Sequence, residues 1–154
     1  MAGEFTARIN RWVAETKERQ TVVLQNSAEE LLSEVVRPGP SVARPGASGG
    51  GNMPIDTGFL AASLQVVVGD GIATLVANPI TNSKGKQVFH YDAAATSLVI
   101  QNAKIGDTLT ATFAAEYAII MEARYAFVRL AAQRWPQIVE AKAAEAEASV
   151  RSRG

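Results

Sequence analysis

The apolar positions of residues 4–36 recur at helical spacing in two separate stripes. Phe5, Ile9, Trp12 and Val13 form the first and Val23, Leu24, Leu31, Leu32 and Val35 the second, at the intervals that place side chains on one helix face. The stretch between them, AETKERQT, is almost entirely polar. This predicts one long helix whose two ends pack on different partners across a solvated middle. Ser27 and Glu30 in SAEE have capping-box spacing, so a break near Asn26 into two helices is the competing reading. The helix is expected to stop at RPGP, because Pro38 and Pro40 lack an amide hydrogen and Pro38 turns Arg37 away from helical angles.

Residues 37–54 hold five of the chain's 12 glycines and four of its 6 prolines, with Arg37 and Arg44 as their only charges. They read as a flexible loop, long enough to suggest a function of its own, and shortening it at 46–51 is expected to leave folding intact. Beyond it come alternating or β-branched runs at 63–69, 72–78, 96–103 and 107–113, with turns at Asp70-Gly71 and Gly106-Asp107. These predict four antiparallel strands in two hairpins. From Ala126 the helical period returns, with Phe127, Leu130, Ala131, Trp135, Ile138 and Val139 on one face. Pro136 either kinks one helix or sits in the first turn of a second. The expected class is α+β in a single domain: helix 4–36, loop 37–54, a cap turn and four-stranded sheet over 55–113, and a helical region 114–150 packed on one face of the sheet. Phe127, Leu130, Trp135 and Ile138 are its expected core.

Length and composition fit this picture. A chain of 154 residues suits one core that removes roughly 70% of the unfolded surface from water. No apolar stretch approaches the roughly 20 residues of a membrane span, and MAGEFTARINRW has no signal-peptide apolar region, so a chain that is not exported is expected. Fifteen basic residues balance 15 acidic ones, so any contact with DNA must come from a local patch. The chain has no cysteine, which excludes disulfides and thiolate zinc sites.

Two motifs raise chemical possibilities. The run GASGGGNMP lacks the lysine and following Ser or Thr of a phosphate-binding loop. Asp56-Thr57-Gly58 matches the triplet of aspartic proteases, which share a proton between two such carboxylates. One copy per chain would demand a homodimer, and Phe59 stands where those enzymes carry a small residue. The local alternative is structural: Asp56 caps the turn TGFLAA, with Ile55 facing Leu60 as a hydrophobic staple. His90 lacks companions at metal-ligand spacing. Glu116, Tyr117 and Glu122 carry acid and base groups, but the two glutamates are not spaced as a working pair. A non-enzyme without cofactor or metal is expected.

Taken together, PIDTGFLAASL and EYAIIMEARYAFVRLAAQRWPQIVEA resemble a family of small tailed-phage proteins. These are the tail-completion or neck proteins that join the DNA-filled head to a long tail, found also in gene transfer particles. Asp56, Thr57, Gly58, Leu60 and Ser63 match the family's first block, Tyr117, Ala118 and Glu122 its second, and Phe127, Val128, Arg129 and Trp135 its third. The chain departs from the pattern after Glu122, where the family usually has an aromatic residue, a glycine and a longer loop. Here Ala123-Arg124-Tyr125 makes the connection almost directly.

The resemblance implies a virion component of the head-to-tail junction, assembled in the host cytoplasm as a ring of six-fold type. Its neighbours would be the head connector or stopper and the tail-terminator or tail-tube proteins, with double-stranded DNA in the channel. A tail-terminator ring is the alternative within this class, and a homodimeric protease using Asp56 the alternative outside it. Arg37, Arg44, Arg151 and Arg153, repeated around a ring, would form a basic collar able to meet phosphates without sequence preference. The glycine-rich loop would order on meeting a neighbouring ring.

Overall fold

A computed structural model describes residues 2–41, 50–71, 74–77, 79 and 88–153. The first helix, α1, runs unbroken from Ala2 to Val35, a rod of about 50 Å at 1.5 Å per residue. The capping-box alternative is not used: Ser27 lies fully buried in mid-helix, and its Oγ has no hydrogen-bond partner among the described residues. The helix ends where Pro38 requires it to. Leu32 and Val35 of the second stripe are buried, and Val23, Leu24 and Leu31 are half-buried. Phe5, Ile9, Trp12 and Val13 of the first stripe are exposed.

The ends of the glycine- and proline-rich segment are more ordered than expected. Strand β1, Pro38–Ser41, pairs in parallel with β2, Met53–Ile55. Gly51 N–H donates to the Pro38 carbonyl at 3.0 Å and Met53 N–H to that of Arg37 at 3.3 Å. A side chain at Gly51 would collide with the Arg37 backbone, and one at Gly39 would come within 2.8 Å of Asn52. Met53 is completely buried. These glycines allow two backbones to touch, so within 46–51 Gly51 is a packed position. The centre of the loop, including Arg44, lies outside the described residues.

The expected sheet is corrected. Helix α2, Phe59–Ala62, leads into β3, Leu64–Val68, which pairs antiparallel with β4, Leu109–Phe113, in the register Leu64↔Phe113 to Val68↔Leu109. The partners lie far apart in sequence and form no hairpin. Of residues 96–103, read as a strand, 96–101 belong to helix α3, Ala93–Gln101, and Asn102 is its C-cap. Asp92 caps it, its carboxylate accepting from Ala95 N–H at 2.9 Å, and three alanines follow. This start outweighs the β preference of Val99 and Ile100. Of the run 72–78, Val76 makes one parallel bridge to Ala115, and Ile72, Ala73 and Asn78 lie outside the described residues. The turn at Gly106-Asp107 is present but joins α3 to β4: Gly106 has φ +96°, and Asp107 accepts from Lys104 N–H at 2.8 Å.

The C-terminal region is three helices, α4 (Ala118–Tyr125), α5 (Phe127–Ala132) and α6 (Trp135–Arg153). Pro136 falls in the first turn of α6, where its missing N–H costs nothing. The long helix α6 packs on α1, whereas packing on a four-stranded sheet was expected. Of the expected core residues, Phe127 and Ile138 are buried, Trp135 is half-buried and Leu130 is exposed. The protein is thus α+β, with its two long helices against each other and two small two-stranded sheets. One buried cluster joins Val35, Met53, Phe59, Leu60, Phe127 and Ala131. A smaller one joins Ala28, Leu32 and Ile100 beneath Leu64, Val66 and Leu109.

Candidate functional site

The first two of the blocks that carry the resemblance are far apart in sequence and meet around one cleft. It has a volume of about 520 Å³ and is bounded by Asp56-Thr57-Gly58 on one side and by Glu116, Tyr117, Arg124 and Tyr125 on the other. The Asp-Thr-Gly triplet is bent here by its glycine. Gly58 has φ +84° and is the N-cap residue of α2. Thr57 Oγ1 accepts from Phe59 N–H at 3.4 Å, a long bond. Ile55 packs half-buried against the cluster in which Leu60 is buried. The segment 88–91 crosses directly above: Phe89 N–H donates to the Thr57 carbonyl at 2.8 Å, and a side chain at Gly58 would strike the Phe89 carbonyl oxygen.

Aromatic rings close the floor of this arrangement. Phe59 meets Phe89 edge-on with centroids 5.1 Å apart and lies 6.3 Å from the ring of Tyr117. Burial pushes the Tyr117 phenol above its ordinary value, and the negative charge of Asp56 adds to the rise, while a hydrogen bond with the Leu60 backbone opposes it. The first two effects disfavour a phenolate. Tyr117 is therefore a neutral, packed hydroxyl at physiological pH.

Glu122 has a role that its spacing from Glu116 did not reveal. Its two carboxylate oxygens accept from Val128 N–H at 2.8 Å and Arg129 N–H at 3.0 Å, capping the first turn of α5 with negative charge at the positive end of the helix dipole. The α4–α5 junction turns at Ala126, whose φ of 52° is the one left-handed value at a non-glycine among the described residues. The sequence signal was the tight connection Ala123-Arg124-Tyr125, which leaves Glu122 one turn from the Phe-Val-Arg segment. Phe127 then packs edge-on against Phe113 at 5.3 Å, tying the third block to β4.

Among the described residues, Arg37 follows α1 while Arg151 and Arg153 stand at the end of α6. Arg37 pairs with Glu34 at 3.1 Å, and Arg134 reaches the same carboxylate oxygen at 2.8 Å. Two guanidinium groups thus share the one Glu34 carboxylate at the end of α1. Arg151 pairs with Glu147, and Arg151 and Arg153 stand in the last turn of α6, where positive charge complements the helix dipole. Glu34 was missed in sequence because its two arginines come from different parts of the chain.

His90 is exposed. No group of three or more His, Cys, Asp and Glu able to hold a metal occurs among the described residues. The described lining of the cleft carries two carboxylates, a guanidinium, two phenols and the Thr57 hydroxyl. No helix among the described residues is long and apolar enough to cross a membrane. No protein-family profile, curated protein or solved structure matches the chain.

Proposed function

We propose that this chain is a structural, non-enzymatic ring component of the neck that joins a DNA-filled phage head to a long tail. The observation that carries this reading is the convergence of the three resembling blocks into one packing unit. Gly58 fits beneath Phe89, Phe59 meets Tyr117, Glu122 caps α5, and Phe127 packs on Phe113. Residues spent on packing and capping suit a scaffold that must hold its shape while neighbouring rings dock on it. The neutral overall charge suits a channel wall past which DNA slides, since a strongly basic ring would hold the phosphates.

The partners in this proposal are copies of the same chain, the head connector or stopper on one side and the terminator or tube of the tail on the other. The test is removal of the chain from the particle-producing genome. Filled heads and free tails should accumulate unjoined, and the purified protein should join them on mixing. Joined, infectious particles without the chain would overturn the proposal. So would peptide cleavage by the purified protein that is lost in Asp56→Asn.

A further inference from the structure

Helices α1 and α3 meet through Ala28, Leu32 and Ile100, and beside that contact lies a cavity of about 770 Å³. Glu29 and Glu30 reach it from α1, and Thr96 and Ser97 from α3. Ser97 Oγ donates to Glu29 Oε1 at 2.5 Å, which holds one carboxylate in the wall and leaves its second oxygen available. Glu30 is half-buried and has no cation or hydrogen-bond donor among the described residues. Thr96 is only 8% exposed, and its hydroxyl makes no hydrogen bond to a described residue. A polar group buried in this way costs free energy that a ligand with the matching group recovers.

Two cationic side chains also reach the cavity, but each is held by an acid that does not line it. Arg37 pairs with Glu34 at 3.1 Å and Lys142 with Glu145 at 3.3 Å. The charge left without a partner is therefore negative. Between these groups the wall is apolar or aromatic, formed by Val36, Pro38, Tyr91 and Ile100.

We propose that this cavity binds an aliphatic diamine. An alkylammonium group has three N–H donors and no acceptor, and the unpartnered atoms here are acceptors: the Glu30 carboxylate, the second Glu29 oxygen and Thr96 Oγ1. The second ammonium balances the second carboxylate, and the hydrocarbon between them matches the apolar wall. Tyr91 adds a ring whose face attracts a cation. A metal ion fits less well, because no group of three or more His, Cys, Asp and Glu occurs among the described residues. An anion would face two carboxylates, with both nearby cations already engaged. The proposal rests on this cavity alone and is independent of the neck reading.

The experiment titrates the full-length chain with butane-1,4-diamine by isothermal calorimetry at low salt, with butane-1,4-diol as the uncharged probe. The diamine should bind once per chain with a dissociation constant of about 1 mM or tighter, and the diol should not bind. Glu30→Gln keeps the side-chain shape without the charge and should weaken binding at least about tenfold. Thr96→Val keeps the shape without the hydroxyl and should weaken it roughly three- to tenfold, with thermal stability retained. In the unaltered chain the diamine should shift the amide NMR signals of Glu30, Thr96 and Ser97 and spare that of Glu147 on α6. This last measurement decides the matter even where a variant does not fold. No saturable binding of the diamine, equal binding of the diol, or undiminished affinity in either folded variant would each overturn the proposal. So would NMR shifts confined to residues outside the cavity.

Discussion

Gly58 is under two constraints that no other residue type satisfies together. Its φ of +84° lies in the left-handed region, and the Phe89 carbonyl occupies the space a side chain would take. Gly58→Ala should therefore destabilise the protein by at least about 2 kcal/mol, beyond the strain of the angle alone, measured by denaturant unfolding. A neutral result would mean that segment 88–91 does not lie over the triplet. Ala126 presents the opposite case, a left-handed residue with a methyl group. Ala126→Gly should raise stability by roughly 0.5–1 kcal/mol, and a loss of stability on denaturant unfolding would contradict the turn described.

Tyr117 gives a pH signature. Burial, then Asp56, raises its pKa above the ordinary 10.0. The folded chain thus keeps a proton that the unfolded chain has already released. That contribution is complete below the ordinary value and is lost as pH rises through the folded one. From about pH 9 upward, thermal stability should fall more steeply in the unaltered chain than in Tyr117→Phe. Parallel curves would remove Tyr117 from the buried position assigned to it.

At the scale of elements, legibility followed how local each signal was. α1 was readable because its apolar period is long and its stop is a proline. The last helices were readable because their period returns cleanly at Ala126, and Pro136 fell at one of its two expected places. α3 was misread because Leu98, Val99 and Ile100 resemble a buried strand, although the Asp92 cap before three alanines marked a helix start. β3 and β4 were found but paired wrongly in sequence, since helix α3 lies between them in the chain. The cleft was legible only as separate blocks: Glu122 over Val128 and Phe89 over Gly58 depend on chain crossings that no local pattern encodes. Trp135 shows the same limit in energetic form. It borders both the α1–α6 groove and an apolar cavity of about 250 Å³ against Leu32, Val66 and Leu109. Half-buried beside existing space, it should cost about 2–3 kcal/mol in Trp135→Ala, below the 3–5 of a fully packed aromatic, as read by denaturant unfolding. A change under about 0.5 kcal/mol, the range of ordinary surface substitutions, would place Trp135 outside the helix seam.

At the scale of the whole molecule, the fold divides into a packed half and a reaching half. The clusters beneath α2, α3 and α5 hold the C-terminal part of α1, while its N-terminal part extends with an apolar stripe uncovered. The chain as a whole is neutral, and Arg37 is paired with Glu34. The decisive measurement is an electron-microscopic reconstruction of the head-to-tail junction of particles made by the genome that encodes the chain. A ring of its copies between connector and tail, with the two long helices and the β3–β4 pair recognisable in each subunit, is the expected result. A junction resolved to side chains that contains no copy of this sequence would contradict the proposed function.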